Sequence, residues 1–379
     1  MVQLTVTEDQ VRWFRLARAH LLEGAVTPRA AAAAQLGIQA QQEGPALIGL
    51  SRRLAARPTT ADLAADLPAQ GLVHTWAHRD TLHLLDAAAH WRDIAAARLL
   101  WPDIGRSGGM PTDEALAAGL AAVQTAPGPV GRTDLYAAMP AAYVAGLTDS
   151  AARARMAPLH FAAHRVLWKL AQRGDVCPAG KRGREGLFTD RSRLFPDLPW
   201  PATEPGAAAH RLIAGFLAAF GPATPADIAH FFGCKVGDIK PLLAGMNPAP
   251  VPVACGGRKG LLIGAADAPV LQAQTPAADH LVMLPPWDAC LIAHKDKSWL
   301  VDDALRGHVF RPGLYVAATV LHDGRVAATW RHAIKRGILE ITLEPLPEAP
   351  HDLVGRLEPE GTDLARRLGA TEVSWKTAS

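Results

Sequence analysis

A chain of 379 residues is long enough for two or three domains, each with its own core. With 49% hydrophobic and 20% charged residues it has the balance of ordinary globular protein, which excludes the disordered and fibrous classes. A formal charge of +3 excludes a wholesale positive surface, so any grip on nucleic acid must come from local basic patches. In chain order, Thr7 followed by Gln10 forms a capping-box pattern, and Val11, Phe14, Leu16 and Leu21 recur at helical spacing. Thr27-Pro28 opens an alanine-rich helix that Gly37 stops. A short extended stretch, "IQAQQ", follows, then a helix from near Pro45 that ends in Arg52 and Arg53. Thr60 opens another helix, and "GLVHTWAHRDTLHLLD" predicts two strands around a turn at Arg79-Asp80.

Helices followed by a β-hairpin are the order of a winged helix, and the order returns twice. "TDLYAAMPAAY" and "RMAPLHFAAHRVLWKLAQRG" predict helices, and "DVCPAGKRGREGLFTD" predicts a hairpin with a basic tip. "AAAHRLIAGFLAAFG", "TPADIAHFFG" and "KVGDIKPLLAGM" predict three more helices, and "VPVACGGRKGLLIG" a third hairpin. From about residue 280, β-branched and aromatic residues between turn signals, including Asp323-Gly324, predict a β-rich unit closed by a helix around "GTDLARRLG". The expected fold is α+β and mainly helical: three tandem winged-helix units (1–110, 111–200, 201–279) and a C-terminal β-rich unit (280–379).

The four cysteines, 177, 234, 255 and 290, form no C-x-x-C pair, which argues against structural zinc and against a disulfide framework. No basic-then-apolar leader opens the sequence, and no apolar run approaches the ~20 residues of a membrane span. The expectation is a cytoplasmic, nucleoid-associated protein with no membrane contact and no cofactor. His74, His78 and His83 read as ordinary surface or packing histidines and not as metal ligands, since in a hairpin 74 and 78 share a face that 83 does not.

The stretch Gln39-Ala40-Gln41 poses the sharpest chemical question. On a helix, positions 39 and 41 would diverge, because successive residues rotate by about 100°. In an extended segment both amides project from one face, with Ile38 and Ala40 on the other. Such a triplet is also the pattern of a plain solvated strand.

Two regions together resemble one family. They are "IQAQQEGPALIGLSRRL" with "TWAHRDTLHLL" downstream, and "MLPPWDACLIAHKDKSWLVDDALRGHVFRPGLYVAATVLHDGRVAATWR". The resemblance is to the winged-helix DNA glycosylases typified by AlkZ and YcaQ, and it covers nearly the whole chain. It implies a concave scaffold for duplex DNA, a monomer, and cleavage of the N-glycosidic bond of alkylated purines, including bulky adducts and crosslinks. It also implies that Gln39 and Gln41 are the catalytic pair, in the Gln-x-Gln form of the AlkZ branch; the YcaQ branch has Asp at the second position. Asp80 stands where the resemblance leads one to expect glycine.

An amide is neither acid nor base at neutral pH. It suits a leaving group that already carries positive charge, such as an N7- or N3-alkylated purine, because that base departs neutral without protonation. Two carbonyl oxygens on one face would then hold a water near C1′ and place partial negative charge by the sugar. The expected DNA contacts are Arg52, Arg53, Arg79 and His83 near the motif, Lys181, Arg182 and Arg184 at the second wing, and Arg331, His332, Lys335 and Arg336 near a terminal β-turn. The rival reading is a non-enzymatic winged-helix regulator, which would use the same helices and wings without needing the glutamines.

Overall fold

The computed structural model describes residues 3–101, 110–138 and 158–378. It is α+β, and helices followed by a small sheet recur three times before a larger sheet. No described helix is long and apolar enough to cross a membrane.

The first unit places helices Pro28–Ala33, Glu43–Arg52 and Thr60–Ala65 beside strands Ile38–Gln39, Leu72–Trp76 and Leu82–Asp86, the last of these in the centre. Thr27 and Thr59 cap their helices by accepting from backbone N–H groups three residues on. In the second unit, helices Asp113–Thr125, Arg132–Ala138 and Pro158–Arg173 accompany strands Val130–Gly131, Val176–Arg182 and Glu185–Asp190. The expected helix over "TDLYAAMPAAY" is present as far as Ala138, and its remainder lies outside the described residues. The third unit has helices Pro205–Phe220, Pro225–Phe232 and Val236–Ala244 and the hairpin Val251–Cys255/Arg258–Ile263.

Each small sheet has three strands. In the first unit the third strand, Ile38–Gln39, is the start of the expected extended stretch. In the second and third units the sequence predicts only two, and the extra strands have two residues each, too short to display any periodicity. In the third unit the extra strand is Leu4–Thr5, which pairs in parallel with Val253 and Ala254. The following helix Glu8–Arg18, capped by Thr7 and Gln10 as expected, packs with it. Its Val11 and Phe14 join Val253, Leu261 and Trp299 in one apolar cluster. Its Arg15 donates to the carbonyls of Phe220 and Pro222 at 3.1 and 2.7 Å. The first residues of the span 1–110 therefore lie in space with the third unit. An apolar stripe announces a helix but does not name the surface that covers it.

The C-terminal unit is a five-stranded sheet in the order Leu281–Leu284, Ala318–His322, Arg325–Lys335, Ile338–Pro345, Glu372–Thr377. The Asp323-Gly324 turn sits between the second and third of these strands, as predicted. The closing helix runs over Leu353–Arg367, which includes most of the expected "GTDLARRLG" but starts well before it, and it passes through Pro359. Burial of Leu353 and Leu357 against the sheet offsets the backbone bond that the proline removes. The final strand was not expected from the sequence.

Candidate active site

The backbone enters the motif through a sharp reversal. Leu36 and Gly37 both have positive φ, and a Cβ at Gly37 would meet Leu85 Cδ2 at 2.4 Å, so only glycine fits there. The chain then runs extended, with Ile38 opposite Leu84, Gln39 opposite His83, and Ala40 N–H donating to Leu82 O at 2.7 Å. Ile38 and Ala40 are buried in one cluster with Leu50, Leu72 and Leu84. Gln39 and Gln41 project the other way and line one cavity of about 750 Å³. The extended reading, with two faces of opposite character, describes this segment.

Each glutamine carbonyl already has a donor. Gln39 Oε1 accepts from Arg79 at 3.4 Å, and Gln41 Oε1 accepts from Leu82 N–H at 3.2 Å. A carbonyl oxygen has two lone pairs, so one remains on each. Two histidines brace the backbone within and just before the motif: His74 Nε2 lies 3.1 Å from Ala40 O, and His78 Nε2 2.9 Å from Leu36 O. Burial lowers the pKa of both, which keeps them neutral at pH 7. The sequence marked them as surface or packing residues and gave no sign of these bonds. Among the described residues no histidine, cysteine and carboxylate cluster could hold a metal ion.

Arg79 sits at the turn between the two long strands, with φ 52°, and is half-buried in the cavity wall. It also donates to Phe231 O at 3.0 Å. The C-terminus of helix Pro225–Phe232 lies directly beneath it: a Cβ on Gly233 would be 3.0 Å from Arg79 Cα. Desolvation pulls its pKa down to about 10, which leaves it charged at pH 7. Asp80, also at positive φ, accepts from Arg98 at 2.7 Å and from Gln172 at 2.5 Å. Aspartate tolerates the left-handed region, so it serves where glycine was expected and in addition links the turn to the second unit.

Three of the expected DNA contacts are corrected by burial. Arg53 is enclosed and makes a bidentate pair with Asp288, both bonds at 2.8 Å. Arg52 is enclosed with Glu360, its Nε 2.5 Å from Oε1. His83 is 2% exposed, with Nδ1 2.9 Å from Thr81 O, and burial drives its pKa down to about 3. None of the three can reach a duplex in this arrangement. The Arg53–Asp288 pair instead joins the helix after Gln41 to the "PPWDACLI" segment, so the two distant signatures meet.

That segment supplies the rest of the cavity. Trp287 Nε1 donates to Leu314 O at 3.0 Å and stands edge-on to Tyr315, with ring centroids 5.0 Å apart. Tyr315 belongs to a short hairpin, Phe310–Arg311/Tyr315–Val316, whose tip carries Leu314 at 91% exposure. Lys297 and His230 also line the cavity; desolvation lowers them to about 7 and about 4. Lys297 is held by the carbonyls of Leu291 and His294. Sequence reasoning missed Trp287, the hairpin, Lys297 and His230, because nothing local ties them to residue 39. None of the described residues that line the cavity is a carboxylate.

The basic tips are surface features. Lys181 and Arg184 are exposed at the second hairpin, while Arg182 is paired with Asp134 at 2.9 Å and Glu185 at 2.8 Å. Arg331, His332, Lys335 and Arg336 are exposed at the end of the strand Arg325–Lys335 and its turn. There Arg331 pairs with Glu344, and Lys335 with Glu340 at 2.8 Å.

Against known proteins, the model of the family "DNA glycosylase AlkZ-like" matches residues 32–367. A protein of Streptomyces sahachiroi named an interstrand DNA cross-link repair glycosylase is 26% identical over 354 residues, covering 89% of this chain and 90% of that one. The solved structure of Streptomyces sahachiroi DNA glycosylase AlkZ superposes with a TM-score of 0.81 at 24% identity, over 99% of this chain and all of that one.

Proposed function

The chain belongs to the AlkZ-like DNA glycosylase family, and from that premise we propose that it excises N7- and N3-alkylated, cationic purines from duplex DNA as a monofunctional glycosylase. One observation carries the choice of substrate. The cavity that holds Gln39 and Gln41 has amides, cations and aromatic rings on its walls but, among the described residues, no carboxylate. Glycosidic cleavage of a neutral sugar conjugate uses paired carboxyl groups, one to protonate the leaving group and one to stabilise the oxocarbenium-like centre. A wall without them suits a base that carries its own positive charge and leaves neutral. The glutamine pair then serves the two events that remain, placing the attacking water near C1′ and contacting the departing base.

Several further features support this reading. A cavity of about 750 Å³ has room for a bulky adduct, so interstrand crosslinks, named for the Streptomyces relative, fall within the proposed range. The exposed Leu314 at a hairpin tip beside the cavity is the type of apolar wedge that proteins place between base steps. The three helix-and-sheet units would act as winged-helix modules that cradle the duplex as a monomer, in the cytoplasm and at the nucleoid. Lys181, Arg182, Arg184, Arg331, His332, Lys335 and Arg336 would meet its phosphates.

The test is incubation of the purified protein with duplexes carrying defined N7- or N3-alkylpurines, followed by detection of abasic sites. Abasic sites on adducted duplex and none on undamaged duplex are expected. Binding without excision would favour the regulator instead.

A further inference from the structure

Gln39 and Gln41 are the same residue type held by different partners. The orientation of both amides is set by donors that cannot accept: a guanidinium for Gln39 Oε1 and a backbone N–H for Gln41 Oε1. The two donors differ in strength. Arg79 is charged, desolvated and without an ion pair among the described residues. A charged donor draws electron density from the amide oxygen and, through amide resonance, makes the Nε2–H groups better donors. The Leu82 N–H is neutral, and the Gln41 side chain stands exposed with a second lone pair to offer.

We propose that Arg79 is a positioning residue that divides the labour of the pair: Gln39 meets the substrate as a donor through Nε2–H, and Gln41 as an acceptor through Oε1. This rests on the glycosylase reading. In the reaction the oxygen of a water forms a bond to C1′ while the C1′–N bond breaks. The electron pair of that bond goes to the purine and cancels its positive charge. The proton shed by the water goes to solvent. Electron density therefore grows on the departing base, and positive charge grows on the sugar. A half-buried guanidinium beside Gln39, with no ion pair among the described residues, is unfavourable for a cation at that point and favourable for an electron-gaining group. The Arg79–Gln39 side of the cavity accordingly faces the leaving base, where a donor bond tightens as the base departs. The attacking water belongs to Gln41.

Isosteric glutamates separate the roles. Gln39→Glu removes the donor and seats a carboxylate against Arg79, whereas Gln41→Glu keeps an acceptor. The single-turnover excision rate of Gln39→Glu is expected to fall about 100-fold, the scale of losing one positioned donor. Gln41→Glu is expected to stay within about tenfold of wild type. Arg79→Met should lose about as much rate as Gln39→Ala with little change in DNA affinity, should add nothing to Gln39→Ala in the double variant, and should be partly rescued by Arg79→Lys. A second readout needs no turnover. The side-chain amide resonances of Gln39 in ¹⁵N-labelled protein should move on Arg79→Lys, while those of Gln41 stay put. Equal losses in the two glutamate variants, or a Gln39 amide indifferent to Arg79→Lys, overturns the proposal. A wild-type protein that excises nothing sinks the enzymatic reading instead, and the resonances still decide the orientation.

Discussion

At the scale of single residues, the candidate chemistry rests on side chains that do little alone. If both amides serve one reaction, Gln39→Ala and Gln41→Ala should each slow excision strongly, about 10²–10³-fold, while folding and DNA affinity stay almost intact. Groups that act as a unit are not additive, so the double variant should be little slower than the slower single. Gln41→Asp supplies an acceptor with negative charge beside the developing cation and should keep far more activity than Gln41→Ala. Single-turnover excision beside a DNA titration reads all four variants. Full activity in the double alanine variant would reduce the motif to a solvated strand. The buried face behaves differently: Ile38 and Ala40 lie in the apolar cluster, so a small apolar exchange should be tolerated and a charge should not.

At the scale of elements, the Arg53–Asp288 pair is the joint between the motif helix and the aromatic wall of the cavity. Removing one partner strands a buried charge, which typically costs about 3–5 kcal/mol. Asp288→Ala should therefore lower stability by that order in chemical denaturation. Arg53→Met with Asp288→Leu, which removes both charges, should lose clearly less. A double variant as unstable as the single would mean that the pair is not the joint. This joint also shows where sequence reading ends. The extended motif was legible because alternation of polar and apolar residues is local and has period two. The fate of Arg52 and Arg53 was not legible, because a basic residue at a helix end looks the same whether its partner is solvent, phosphate or an aspartate 235 positions away. The start of the closing helix was hidden for a related reason: Pro359 advertises a break, and only the sheet beneath Leu353 and Leu357 shows why the helix continues. His74 and His78 read from the sequence as ordinary surface or packing histidines, and their hold on the Ala40 and Leu36 carbonyls depends on a pairing register that no local pattern encodes.

At the scale of the whole molecule, charge is sparse and must be used locally. Of the expected phosphate contacts, Arg182, Arg331 and Lys335 are committed to exposed ion pairs. Such pairs are worth about 0–1 kcal/mol and can be exchanged for phosphate. Charge reversal of Lys181, Arg182 and Arg184 together, or of Arg331, Lys335 and Arg336 together, should weaken DNA binding and flatten its salt dependence. An unchanged salt slope in both triples would place the duplex elsewhere. Acid is the second whole-molecule lever. His83 is buried neutral with a folded pKa of about 3 against an ordinary value of 6.5, and His78 and His294 are lowered in the same direction. Below pH 6.5 the unfolded chain binds protons that the folded chain refuses, so stability is full above that value and is lost as pH falls toward the folded pKa. Each such group contributes a slope of up to about 1.4 kcal/mol per pH unit. The thermal midpoint should therefore drop steeply between pH 6.5 and 4. A flat profile over that interval would show that these histidines are solvated.

The parallel pairing of Leu4 and Thr5 with Val253 and Ala254 sets an order of events at the ribosome. The first helix emerges with its apolar stripe complete, yet the strand that receives its leading residues is made some 250 residues later. At translation rates of roughly 5–20 residues per second this is an interval of tens of seconds at the slow end. Throughout it Val11 and Phe14 have no native surface to cover them. The first and second units can close during that interval, whereas the third must wait for a segment already synthesised to return. Nascent chains halted before residue 255 should thus present this helix to a trigger-factor-like holdase, and chains long enough for Trp299 to have left the exit tunnel should have withdrawn it.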